Sequence, residues 1–428
     1  MARQMKDSGV EWIGEIPSCW ELRPARCAFS EVKEKNAEGT ETRALQFKFG
    51  KIIVKTNFNA EDDDYVADTI TNYTIVEPGT VMINGLNLNY DFKTQRVALV
   101  TERGVITSAY LALRPDEQLI DAEYATYLFK GYESKMALHN MGAGIRLTLG
   151  YREFKNQPVL FPTLCEQRRI VAFLDRRCAE IDAVIERTKA TIEEYKKLKQ
   201  TVITEAVTKG VRGERKMKDS GIEWIGEIPE EWEVSRVKYV SDFEPSSRRD
   251  DLSDESIITY TPMDCIKNGW FINNTAPLGS VSSSLTAYQE GDIVLAKVTP
   301  CFENGNIAIM KGLASGFGLG SSELFVIRAE SIDTKYMFYW LRNEGFIQRA
   351  CATMTGTGGL KRVSPAFVKD CFIHMPPATE QDEIAAYLDE KCAALDTLIA
   401  KKTDLLTELE TYKKSLIYEY VTGKKEVQ

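Results

Sequence analysis

Histidine is nearly missing from this chain: His139 and His374 are the only two in 428 residues. That excludes a histidine-rich metal centre, and each fits a surface or packing role. No run of about 18 apolar residues occurs, so no helix is expected to span a membrane. The N-terminal stretch MARQMKDSGVEW has no signal-peptide apolar core. The nine cysteines form no C-x-x-C pair, which points to reduced thiols in a cytoplasmic protein. A Gly-x-x-x-x-Gly-Lys-Ser/Thr phosphate loop is lacking, and so is the Asn/Asp-Pro-Pro-aromatic tetrapeptide of amino-methyltransferases. Pro376-Pro377 follows Met375 and precedes Ala378, wrong on both sides, and the Gly316-x-Gly318-x-Gly320 run does not open a helix. The acidic cluster at 61–64 reads as a solvated loop. No metal and no cofactor are expected.

Positive charge is also in short supply. The net charge is −9, with 54 basic and 63 acidic residues. By segment, residues 1–165 carry 19 basic and 22 acidic groups, 166–209 carry 10 and 8, 210–379 carry 18 and 22, and 380–428 carry 7 and 11. No segment is basic enough to hold nucleic acid by charge alone.

What is present is present twice. Residues 5–20 (MKDSGVEWIGEIPSCW) and 217–232 (MKDSGIEWIGEIPEEW) share 13 of 16 positions at an offset of 212. Residues 166–208 match 380–422 without a gap, with 16 identities in 43 and an offset of 214. Within these longer copies, Leu174, Cys178, Ile181, Ile185, Thr188, Ile192, Tyr195, Lys199 and Val202 step by 4 and 3. Leu388, Cys392, Leu395, Ile399, Lys402, Leu406, Leu409, Lys413 and Leu416 do the same. This is a heptad seam of about four repeats, predicting helices of roughly 65 Å. Val184, Leu198, Leu398 and Leu405 widen the apolar stripe and predict packing on more than one neighbour. Gly210 and Gly423 stand where C-terminal caps belong, and Pro162 and Pro376 precede the helices.

The stretches between the copies read as mixed α/β. Strand-like runs lie at 80–84, 96–101 and 108–113 in the first, and at 292–298, 306–310 and 322–328 in the second. Each is followed by Ile-Asp-x-x-Tyr-x-x-Tyr, at Ile120 and Ile332, and then by a Gly-x-Gly loop, at Gly142 and Gly356. The expected division is 1–161, a helix over 162–209, a basic linker over 210–216, 217–375, and a second helix over 376–428. The Trp-containing boxes read as apolar hooks that anchor each insert, with Gly14 and Pro17 making the turn.

In this order of parts the chain resembles the specificity subunit of type I restriction–modification systems. The paired MKDSG-x-EWIGEIP boxes and the paired Pro-x-x-x-Glu-Gln-x-x-Ile-x-x-x-Leu-Asp openings at 162–175 and 376–389 carry the resemblance. The stretches 84–96 (NGLNLNYDFKTQR) and 299–306 (TPCFENGN) are similar to target-recognition sequences. The resemblance implies two target-recognition domains of mixed α/β fold joined by two long antiparallel helices, with a pseudo-twofold internal repeat. It implies a non-catalytic subunit that reads a bipartite, asymmetric double-stranded DNA site. It also implies methyltransferase subunits as partners, two of them, with restriction subunits in the larger assembly. Half-sites on one face of duplex DNA lie about 34–36 Å apart, a spacing such helices can hold.

Candidate DNA contacts in the first insert are Asn84, Asn87, Asn89, Tyr90, Lys93, Arg96 and Arg146. In the second they are Lys297, Thr299, Asn304, Asn306, Lys361 and Arg362, with Arg248 and Arg249 as a further basic pair. Amides read adenine edges, and arginine and lysine read guanine or hold phosphate; Asn and Gly also shape turns without any ligand. The polar Glu166-Gln167 and Glu380-Gln381 pairs are not explained by the seam and are taken as capping or partner-docking positions. A self-contained methyltransferase or nuclease, and a coiled-coil scaffold with no DNA role, are the competing readings.

Overall fold

The computed structural model describes residues 3–55, 70–90, 95–144, 147–246, 251–282, 284–357 and 359–427. It divides into two compact units, Met1–Lys189 with Asp404–Gln428, and Ala190–Thr403. Two long helices, Leu164–Lys209 and Ala378–Val421, contribute one part to each unit. Both end at the expected glycine, Gly210 at φ 77° and Gly423 at φ 71°, the left-handed cap that a Cβ disfavours.

In the first unit the insert is built on a four-stranded antiparallel sheet. Its order is Phe29–Glu31, Leu111–Pro115, Val81–Ile83, Val97–Leu99. The helix Ala122–Ser134 covers one face, started by Asp121, whose carboxylate accepts from the amides of Glu123 and Tyr124. Phe129, Tyr132, Leu113, Val159 and Leu174 meet in one core with Ile13, Ile16 and Trp20 of the box. Each such side chain contributes about 1.5–3 kcal/mol by burial. The two long helices run antiparallel here: Arg169 donates to the Val427 carbonyl (2.9 Å) and Lys413 pairs with Asp182 (2.6 Å).

The second unit repeats the plan. Its sheet order is Ser241–Phe243, Leu324–Ala329, Ile293–Ala296, Ile307–Ile309, and Asp333 starts the helix Thr334–Trp340 by accepting from the Tyr336 amide. Lys199 pairs with Asp396 (2.6 Å) and Arg212 with Glu383 (2.8 Å), so the helices are antiparallel here too. The Lys–Asp pairs of the two units occupy equivalent positions of the repeat. A second sheet distinguishes this unit, ordered Asn274–Pro277, Ile257–Thr261, Phe317–Gly320, Thr286–Gln289, with one parallel pair. Among its described residues the first unit has short ladders there, Leu45–Lys48 with Lys51–Val54 and Thr74–Val76 with Gly104–Ile106.

The widened stripe is corrected in part. Val184, Leu198 and Leu398 are exposed, and only Leu405 is half-buried. The insert cores hold residues nearer the helix ends, such as Ile170, Leu174, Ile203, Val207, Ile384 and Leu388, and not these three. Among the described residues no helix is long and apolar enough to cross a membrane.

Candidate nucleic-acid interface

Each insert is locked to its helix start by the same polar joint. The Trp20 indole donates to Glu166 (3.0 Å), and Arg3 pairs with the same carboxylate (2.5 Å) while lying 5.1 Å from the Trp20 ring centroid. In the second unit the Trp232 indole donates to Glu380 (3.1 Å), and Arg215 pairs with it (2.6 Å) and lies 5.3 Å from the Trp232 ring centroid. Gln167 donates to the carbonyls of Leu119 (3.0 Å) and Pro162 (2.9 Å) and accepts from the Asp121 amide (2.8 Å). Gln381 donates to Pro376 O (2.9 Å) and accepts from the Asp333 amide (2.7 Å). These four residues, taken from the sequence as capping or partner-docking positions, are turned inward instead: Gln167, Glu380 and Gln381 are buried and Glu166 is half-buried. The glutamines join the insert to the helix by satisfying backbone groups that would otherwise be orphaned, and the glutamates by taking up the Trp indole and the Arg guanidinium. Arg3 and Arg215 stand at the repeat offset of 212, two residues before each box, and the offset itself was the signal that would have found them.

In the first insert the loop after Val81–Ile83 meets the glycine loop. The Leu88 amide donates to Leu147 O (3.3 Å) and the Leu149 amide to Gly85 O (2.9 Å). A Cβ on Gly85 would collide with the Leu149 carbonyl, so the close approach requires glycine. Asn87 is exposed in a left-handed conformation (φ 52°), Tyr90 is 76% exposed, and Asn84 and Asn89 are half-buried. Asn84 also shapes the turn, accepting from the Leu86 amide (3.2 Å). Lys93 and Arg146 lie outside the described residues, as do Arg248 and Arg249 of the second insert.

Arg96 is a correction. Expected on the DNA-facing surface, it is fully buried, and its guanidinium donates to the carbonyls of Asn84 (3.0 Å) and Leu86 (2.7 Å). It holds the loop from beneath. Its own amide donates to Glu133 (2.6 Å), and burial raises that carboxyl to about 7 despite the opposing pull of the Arg96 amide.

The second insert brings the corresponding segments together. The Thr299 hydroxyl donates to Gly359 O (2.8 Å) and accepts from the Lys361 amide (3.0 Å), and the Val363 amide donates to Lys297 O (2.8 Å). Lys361 and Asn304 are exposed, Asn306 is half-buried, and the Lys297 ammonium lies 5.5 Å from the Phe325 ring centroid. Arg362 is held bidentately by Glu323 (2.8 and 2.7 Å), whose hydrogen bonds keep that carboxylate below its ordinary range. Its charge is largely offset within the chain.

The result is a cluster of amides and a tyrosine hydroxyl in the first unit, and of amides, a threonine hydroxyl and lysines in the second, each at one end of the central sheet. That suits groove contacts and phosphate binding. Among the described residues no group of three or more His, Cys, Asp or Glu could hold a metal ion. His374 is buried against the Val207 carbonyl (3.0 Å), and burial lowers it to about 4.

A family model described as the type I restriction modification DNA specificity domain matches residues 229–410. The specificity subunit of type I restriction enzyme EcoEI of Escherichia coli is 32% identical over 191 residues, which is 44% of this chain and 31% of the relative. This chain therefore spans about a third of the length of the first curated relatives it matches. The MjaVIII specificity subunit of Methanocaldococcus jannaschii is 27% identical over 363 residues, 83% of this chain and 81% of that one. Among solved structures, a chain from work on complex assembly and conformational transition of the type I R-M system superposes with a TM-score of 0.69 at 14% identity, covering 96% of this chain and 99% of that one. That likeness speaks for the fold.

Proposed function

We propose that this chain is a member of the specificity-subunit family of type I restriction–modification systems, to whose DNA specificity domain residues 229–410 are similar, and that it recognises a two-part, asymmetric double-stranded DNA site and places methyltransferase subunits on it. One observation carries the reading. A duplicated frame sets two loop clusters in equivalent places, and the side chains displayed there differ: Asn84, Asn87, Asn89 and Tyr90 in one, Lys297, Thr299, Asn304 and Lys361 in the other. Unlike loops on like supports suit unlike half-sites. A duplicated palindrome reader would carry matching loops.

The chain acts as an adaptor and leaves chemistry to its partners, two methyltransferase subunits and, in the larger assembly, restriction subunits. It works where those partners and DNA meet, in the cytoplasm. A net charge of −9 fits this division of labour, since an acidic chain must borrow phosphate neutralisation from its partners.

The test is binding and methyl transfer with purified components. The chain alone should bind duplex DNA weakly at physiological salt and transfer no methyl group from S-adenosylmethionine. Addition of its methyltransferase should produce site-specific binding and methylation. Methyl transfer by the chain alone would favour the enzyme reading, and site-independent binding by the complex would remove the recognition role.

A further inference from the structure

Each insert holds up one large, mostly exposed aromatic ring at a hairpin tip. In the first, the hairpin Leu45–Lys48 with Lys51–Val54 turns on Phe49 and Gly50, both left-handed, at φ 49° and 69°. Two-residue turns of this hand favour Asn or Asp before Gly, because a bulky side chain is strained there. Burial returns nothing, since Phe49 is 80% exposed. Lys48 and Lys51 face each other directly across the last register position, a like-charge pair beside the ring. The tip rests on the candidate reading segment: a Cβ on Gly50 would collide with the side chain of Gln95, next to Arg96.

The second insert reaches the same display by a different chain path. Its equivalent hairpin joins Ile257–Thr261 to Asn274–Pro277. The first of these strands runs parallel to Phe317–Gly320, as Ala44 is bridged in parallel to Val105 in the first insert. The longer connection closes into a tight turn, in which the Lys267 amide donates to Trp270 O (2.9 Å) and Ile266 pairs with Phe271. Trp270 is left 56% exposed at that turn with Lys267 beside it. This turn, too, is braced on the reading segment. Asn268 donates to Asn304 O (3.3 Å) and accepts from the buried Arg342 guanidinium (2.7 Å).

Strain and exposure at one tip, offset in part within the chain by the Lys48 ammonium 6.0 Å from the Phe49 ring centroid, and a half-exposed tryptophan on a braced turn at its counterpart, are costly in the free chain. Such local strain is kept where function needs it. We propose that Phe49 and Trp270 are DNA contacts. Each tip enters a groove beside its insert's reading loop, the ring wedges against a base step, and Lys48, Lys51 and Lys267 take the flanking phosphates. This rests on the DNA-recognition reading above.

The experiment uses the full chain with its methyltransferase subunit and a duplex carrying the methylated site, with affinity measured across a salt series. Phe49→Asn creates the favoured Asn-Gly turn, so the chain should keep or raise its melting temperature. Specific binding should nevertheless weaken by about tenfold or more, with the salt slope unchanged. Trp270→Ala should weaken binding in the same way, and Lys51→Ala should reduce the salt slope by about one. The proposal is overturned if both aromatic variants bind the specific duplex within about twofold of the wild-type complex. It is also overturned if they release the methyltransferase while DNA contacts persist. A wild-type complex that shows no site preference would instead bring down the recognition reading itself.

Discussion

The strand Pro158–Phe161 of the first unit and the strand Phe372–Met375 of the second lie in the same place, each paired with the strand that follows the Trp box. Leu160 of the one corresponds to His374 of the other at the repeat offset of 214. Around that substitution the two joints keep the same contacts. The Tyr124 hydroxyl donates to Val421 O (3.2 Å) in one, and the Tyr336 hydroxyl to Val207 O (3.3 Å) in the other. What the duplication has kept is the set of polar struts that fix an insert to its helices. The apolar filling and the loops changed more freely, because volume can be repacked while a backbone amide or carbonyl left without a partner cannot.

The largest expected effect tests whether the joints are equally strong. Glu380 is fully buried and Arg215 is 13% exposed, whereas Glu166 and Arg3 are 23% and 19% exposed. Glu380→Ala removes the buried acceptor of the Trp232 indole and of Arg215, leaving Arg215 to Glu231 and the Lys209 carbonyl, and should cost about 3–5 kcal/mol in denaturant unfolding. Glu166→Ala should cost clearly less, and equal losses would show that exposure does not grade the two joints.

A pH difference should separate the units next. His374 falls from 6.5 to about 4 through burial, opposed by its hydrogen bond to Val207. Between those values the unfolded chain binds the extra proton. The stabilising contribution is therefore complete above pH 6.5 and is lost on acidification, by roughly 3 kcal/mol at most. Glu133 rises from 4.5 to about 7 through burial. There the folded state binds the extra proton, so the first unit gains stability as pH falls from 7 towards 4.5. Hydrogen exchange at pH 7 and pH 5 should show opposite changes in the two inserts, and His374→Leu should remove the acid sensitivity of the second.

Smaller and more equal effects should follow at the glutamines. Gln167→Ala and Gln381→Ala each orphan an amide and at least one carbonyl, a loss of about 1–3 kcal/mol. Both should lower the melting temperature while methyltransferase co-purifies as before. Loss of the partner without loss of stability would restore these residues to a docking role. The smallest effect belongs to Lys199→Ala and Lys413→Ala, each below about 1 kcal/mol in the same unfolding measurement, because Asp396 and Asp182 are more than half exposed.

The long helices, their glycine caps and six of the eight central-sheet strands were legible because periodicity and near-verbatim repetition are local signals, while the edge strands Phe29–Glu31 and Ser241–Phe243 were missed. The joints were not. Trp20 meets Glu166 across 146 residues and Trp232 meets Glu380 across 148, and nothing local announces such a contact. Arg96 misled for the same reason: an arginine in an Asn-rich loop looks like a groove contact until tertiary packing shows it beneath the loop. Phe49 escaped notice because an exposed phenylalanine is informative only once its backbone hand is known. The candidate loops were picked out by their amide and basic side chains and their likeness to target-recognition sequences, and the structure brings them against the Gly-x-Gly loops in both inserts.

The central claim is that the two inserts read DNA separately. Mapping methylated adenines in DNA exposed to the chain with its methyltransferase tests it most directly, using the wild type, Tyr90→Ala and Asn304→Ala. The account predicts a two-part site with unlike halves, Tyr90→Ala relaxing one half and Asn304→Ala the other. Two like halves, or both halves relaxing together in either variant, would contradict it.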